Sequence, residues 1–228
     1  MAGQPGAVRT IVDLSHVIAD GTITYPGLPG PVISDHLSRE ASRERYAPGT
    51  EFQIGRIEMV SNTGTYLDTP FHRYPDGGDL AALDLARVAG VPGLVVDATG
   101  TQEAGADVLD GHDDADLAGR AVLFRTGWDE HWGGDHYGEP SHPYVGVTAA
   151  ERLVAAGAAV VGIDSVNIDD TRTGERPIHS LLLAAGIPIV EHLCHLDDVA
   201  GRVFAFYAVP PAVSGMGTFP VRALAVLD

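Results

Sequence analysis

Apolar residues along this chain fall into short runs broken by glycine, proline and acidic residues. Residues 9–15 (RTIVDLS) predict a first strand, and Pro26, Pro29 and Pro31 with their glycines predict an irregular loop after it. Residues 52–60 have the length and partial alternation of a strand. Residues 93–98 and 121–125 are β-branched or apolar runs that predict buried strands, and the acidic stretch 107–116 between them predicts a solvated loop or short helix. Thr148 and Glu151 have capping-box spacing, which predicts a helix running to about Ala156 and ended by Gly157. Residues 159–164 then predict a strand. Pro177 suits the first position of a helix over 178–185, ended by Gly186. Residues 187–190, 202–209 and 221–227 predict the last strands. With no repeats and no linker, the expectation is one mixed α/β domain over residues 1–228.

Composition narrows the function. The formal charge of −17 argues against nucleic acid or an anionic membrane as partner, since both would repel such a surface. No apolar run is long enough to span a bilayer. The opening MAGQPGAVRT lacks the basic and apolar regions of a signal peptide, and a lone cysteine, Cys194, excludes an internal disulfide. The expected location is therefore cytoplasmic. All 14 basic residues are arginine, which eliminates a Schiff-base lysine and a phosphate-loop lysine. No GxGxxG follows a strand, so a dinucleotide cofactor has no support.

Candidate chemistry concentrates in residues 62–72, Asn-Thr-Gly-Thr-Tyr-Leu-Asp-Thr-Pro-Phe-His. Asp68 and His72 flank Pro70, which restricts the backbone and places them on a turn rather than a helix. A turn-capping aspartate and a surface histidine are the plain alternative. His179 begins the second predicted helix and Glu191 ends the strand after it, so both can converge with Asp68 on one cation of the zinc or manganese type. A backbone-bonded histidine is the alternative for His179.

The order of these motifs resembles the cyclase family that includes bacterial kynurenine formamidase and isatin hydrolase. The family signature His-x-Gly-Thr-His-x-Asp-x-Pro-x-His is matched at 62–72 by Asn62, Gly64, Thr65, Tyr66, Asp68, Pro70 and His72. Further similarity lies in Asp13-Leu-Ser-His16, Tyr25-Pro-Gly27, Arg125-Thr-Gly-Trp128, Gly162-Ile-Asp164 through Asp169, Pro177-Ile-His179 through Glu191, and Pro220-Val-Arg222-Ala. The resemblance implies a swivelling β/β/α fold and a homodimer or homotetramer, with residues 1–50 as an arm and substrate loop reaching a partner subunit. It also implies a first metal held at the positions of Asn62, Tyr66 and Asp68, a second held at Asp68, His179 and Glu191, and His72 as general acid/base.

Two of those positions depart from the signature. Asn62 offers only a neutral amide oxygen, and Tyr66 binds a metal well only as phenolate, against a pKa of about 10. The first metal site is expected to be lost. Asp68, His179 and Glu191 suffice for one catalytic zinc or manganese with an open position. One reading is therefore a hydrolase of an amide or related carbonyl bond in a small cyclic or aromatic substrate, with His72 moving the proton and Tyr66 donating to the developing oxyanion. A second reading has no metal, and is a lyase, dehydratase or cyclase of biosynthesis with Tyr66 and His72 as acid and base and Asp68 orienting one of them. A binding protein without catalysis is the third. Asn62, Tyr25 and Trp128 are the expected substrate contacts, with Trp132 as a weaker wall residue. His131, His136 and His142 are expected on an exposed loop over 132–143, and Cys194 as a buried structural thiol. Ser214 lacks nucleophile-elbow spacing.

Overall fold

A computed structural model describes residues 9–227. Its strands are β1 (Thr10–Asp13), β2 (Val32–Leu37), β3 (Ile54–Glu58), β4 (Tyr66–Asp68), β5 (Ala89–Asp97), β6 (Glu103–Ala104), β7 (Ala121–Arg125), β8 (Tyr144–Val145), β9 (Val160–Ile163), β10 (Ile189–Glu191), β11 (Phe204–Tyr207), β12 (Thr218–Pro220) and β13 (Leu224–Leu227). Nine of them form one sheet in the order β1-β13-β11-β5-β7-β9-β10-β4-β12. The centre, β5-β7-β9-β10, is parallel, and the flanks are antiparallel. Strands buried on both faces read as unbroken apolar runs, which is why β7 (AVLFR) and β9 (VVGI) are legible without alternation.

The pleat of β7 sorts its side chains onto two cores. Leu123 joins Leu14, Leu67, Phe204 and Phe206 on one face. Val122 and Phe124 join Ile163 and Leu153 on the other. That second face is covered by helices α3 (Val147–Ala156) and α4 (Pro177–Ala184), which contribute Leu153, Ile178 and Leu182; α1 (Arg39–Ser42) and α2 (Asp114–Leu117) are single turns. This is the α/β arrangement with a β/β/α core that the resemblance implies. Among the described residues no helix is long and apolar enough to cross a membrane.

Two expectations need correction. The helix expected to be capped by Thr148 begins two residues earlier, at Val147, with Gly146 as N-cap and no side-chain cap; the Thr148 hydroxyl instead accepts from the Ala106 amide at 3.0 Å. The capping-box spacing was met, but Thr148 lies inside the first turn. The strand predicted over 52–60 exists as β3, yet it pairs with β2 in a separate hairpin outside the main sheet, and all five of its residues are exposed. Its partial alternation marks no core face.

Candidate active site

β4 lies between β10 and β12 near one edge of the sheet, and its register assembles the site. Tyr66 stands opposite Glu191 on one side and Pro220 on the other, while Asp68 stands opposite Ile189 and Thr218. Positions 66 and 68 share a face, whereas Leu67 points into the core. Directly opposed residues meet, so the Tyr66 hydroxyl donates to Glu191 Oε2 at 2.6 Å and the Thr218 hydroxyl donates to Asp68 Oδ1.

His72 ends a one-turn 3-10 helix, Pro70–His72, rather than a plain turn. That turn is held by the Thr69 amide on the Gly217 carbonyl at 2.7 Å, and Gly217 packs so closely that a Cβ there would lie 2.2 Å from the His72 nitrogen. His72 Nδ1 lies 2.7 Å from Thr218 Oγ1. Because that hydroxyl gives its proton to Asp68, it accepts from His72, which leaves His72 Nε2 as the basic atom.

His179 sits in the first turn of α4, where Asp169 does three jobs. Its carboxylate accepts the free amides of Ile178 (2.7 Å) and His179 (3.1 Å), and its Oδ2 lies 2.6 Å from His179 Nδ1. The imidazole therefore presents Nε2, at 3.7 Å from both Asp68 Oδ2 and Glu191 Oε1. Asp68 Oδ2 is buried and has no hydrogen-bond partner among the described residues. Asp68, His72 and His179 each offer a ligand atom within 4.8 Å of one another. Glu191 is more committed, since Oε1 also accepts from the Ile168 amide at 2.6 Å.

Electrostatics follow from burial. Desolvation, then the charges of Glu191 and Asp68, push the Tyr66 phenol well above its ordinary value, so it stays a protonated donor. Burial opposes a charged His179, but the carboxylates of Glu191, Asp169 and Asp68 outweigh it and raise the imidazole to about 10. Burial also raises Glu191, against the pull of the His179 charge. Three buried carboxylates surround one imidazole, a donor set of oxygen and nitrogen that asks for positive charge. It fits a divalent cation, with Asp169 in the carboxylate–histidine arrangement that orients metal ligands.

The cluster opens on a cavity of about 420 Å³ lined by Tyr25, Asn62, Tyr66, His72, His179 and Glu191 among others. Of the expected substrate contacts, Tyr25 and Asn62 line it. Trp128 does not: its indole donates to the Tyr137 carbonyl at 2.9 Å and packs against His131 and His136. Nor is the segment 132–143 wholly exposed. Trp132 stacks on His16 at 4.0 Å, and Tyr137 and His142 are buried, the latter held by Thr171 at 2.9 Å. Cys194 is buried, and burial pushes its thiol up to about 12, so it is no nucleophile. Sequence reasoning missed Asp169, Thr218, Arg73 and Arg176; the last two line the cavity.

A cyclase family model matches residues 12–170. The chain belongs to the cyclase family. Within it, this chain is 32% identical over 215 residues to a kynurenine formamidase of Geobacillus thermodenitrificans, covering 93% of this chain and 95% of the relative. It is similar to a structure described as a predicted metal-dependent hydrolase from Bacillus stearothermophilus, at 26% identity and TM-score 0.75, over 96% of this chain and 99% of that one. An isatin hydrolase bound to the product analogue thioisatinate shares the fold, with 23% identity and TM-score 0.80 over 96% of this chain and 93% of that one.

Proposed function

We propose that this cyclase-family protein is a hydrolase of carbon–nitrogen bonds, opening an amide or related carbonyl group in a small cyclic or aromatic substrate. One observation carries the reading: the orphaned, buried Asp68 Oδ2 faces His179 Nε2, itself fixed by Asp169, and His179 lines the cavity. Asp68 and His179 would hold one zinc or manganese ion, with Glu191 Oε1 as the third ligand. Such an ion polarises a carbonyl and lowers the pKa of bound water from about 15.7 to about 7. His72, held by Thr218, carries the proton through Nε2, which is worth about 10²–10⁴-fold. The Tyr66 hydroxyl, already given to Glu191, positions that carboxylate instead of meeting an oxyanion. Asn62 and Tyr25 contact the substrate.

The names of the relatives support hydrolysis, and the replaced signature residues Asn62 and Tyr66 support a changed substrate. The metal-independent lyase reading needs the Tyr66 hydroxyl as an acid/base, and its commitment to Glu191 weighs against that. The exposed Val32, Ile33, Ile54 and Ile57 support a homodimer or homotetramer in which the β2–β3 hairpin meets a partner subunit.

Elemental analysis, with turnover of aryl formamides and cyclic amides before and after chelation, tests the scheme. We expect about one metal per chain and activity that returns with Zn or Mn. Full activity at negligible metal content would sink it. His72→Ala should keep the metal and lose turnover, and Glu191→Gln should lose the metal; the reverse pattern would make His72 the third ligand.

A further inference from the structure

The same cavity carries two guanidinium groups, Arg73 and Arg176, on its wall. Among the described residues neither joins an ion pair, which leaves two uncompensated cations on the wall of a cavity in a chain of formal charge −17. Both are pinned in place. Arg176 spends Nη1 alone on three backbone carbonyls, of Asp170, Thr173 and Glu175, at 3.3, 2.8 and 2.6 Å. Arg73 gives Nε to Ser180 Oγ at 3.3 Å and lies over the Tyr74 ring. Ser180 in turn donates its proton to the Arg176 carbonyl at 2.7 Å, so one hydroxyl ties the two arginines together at the start of α4.

What each arginine leaves over is informative. Among the described residues Arg176 makes no hydrogen bond through Nε or Nη2, the edge with which two other arginines of this protein grip carboxylates. Arg172 uses it on Asp170 (2.9 and 2.8 Å) and Arg222 uses it on Asp13 (3.0 and 2.6 Å). Arg73 leaves both terminal nitrogens without a partner among the described residues. The neighbouring acid Asp170 is taken by Arg172, so it does not satisfy Arg176. Two anchored cations with unspent donor edges, beside a catalytic cluster rich in carboxylates, form a polarised cavity: one side demands a cation, the other an anion.

We infer that Arg73 and Arg176 form a carboxylate-binding subsite, so that the substrate is an anionic carboxylate-bearing amide oriented with its reacting carbonyl toward Asp68 and His179. This rests on the proposed hydrolase reading only for which end of the substrate reacts. Ordering the guanidiniums beforehand reduces the entropy lost on binding, and their charge offsets the repulsion an anion meets from the chain as a whole.

Calorimetric titration with benzoate and its neutral isostere benzamide tests the subsite without turnover. Metal-loaded protein should bind benzoate roughly 10- to 100-fold tighter than benzamide, with a preference that shrinks as salt rises. Arg176→Gln and Arg73→Gln should each erode that preference through benzoate affinity, leaving benzamide affinity in place. The preference should survive chelation of the metal. Equal affinity for the two ligands, or a preference kept in both variants, would overturn the inference. So would a preference abolished by chelation, which would place the carboxylate on the metal. A confirmed preference in a protein that hydrolyses no amide would leave the subsite standing and remove only the hydrolase reading.

Discussion

Asp169 shows how much of the site rests on a residue that touches no substrate. It caps α4 and fixes the His179 tautomer with the same carboxylate. Asp169→Asn keeps the shape but offers Nδ1 a poorer acceptor, and we expect metal affinity to fall about 10–100-fold. Competition against a chromophoric chelator measures this, and an unchanged constant would refute the role. Tyr66 matters for a different reason. Its hydroxyl satisfies a fully buried Glu191 oxygen, so Tyr66→Phe leaves an acceptor without a donor. Destabilisation of about 1–3 kcal/mol is expected in urea titrations of metal-free protein. A shift below a few tenths would mean that Glu191 finds another partner.

At the level of elements, the strands that were legible are those buried on both faces, such as β7 and β9, and helix α4 with its proline start and the glycine beyond its end. β2, β4 and β12 were not. β4 and β12 are three residues each, too short for a period, and exist because sheet neighbours supply their hydrogen bonds. For the same reason Asp68, His72, His179 and Glu191 could be nominated from residue type and motif order, whereas Thr218 could not. It lies 150 positions from Asp68 and reaches it only through the register of β12 on β4. Arg73 and Arg176 were passed over because unspent donors are visible only once their neighbours are known. Gly217 is the element-scale weak point, since a methyl group there collides with the backbone of His72. Gly217→Ala should lower stability by about 1–3 kcal/mol and depress kcat by displacing His72. Chemical denaturation and steady-state kinetics check both, and normal kcat would show that the turn tolerates displacement.

For the whole molecule, the half-buried His16 contributes to the acid limit. Burial, then the His195 charge, lowers His16 to about 4 from an ordinary 6.5. The unfolded chain therefore takes up its proton first as pH falls, so the stability associated with neutral His16 is complete above about 6.5 and drains away toward 4. Asp164, raised by burial to about 6, works oppositely over part of that range. A comparison between wild type and His16→Gln cancels such shared effects. The stability difference should move in favour of the variant between pH 6.5 and 4, and parallel curves would refute the assignment. The strand order carries one more consequence. Tyr66, Glu191 and Pro220 meet on three adjacent strands, so the reactive cluster draws on residues far apart in sequence. Long-range pairings of this kind form slowly. During refolding, catalytic competence should therefore appear only after residues 218–220 have docked on β4, trailing the bulk of the secondary structure, and the enzyme should be silent until that edge strand is in place.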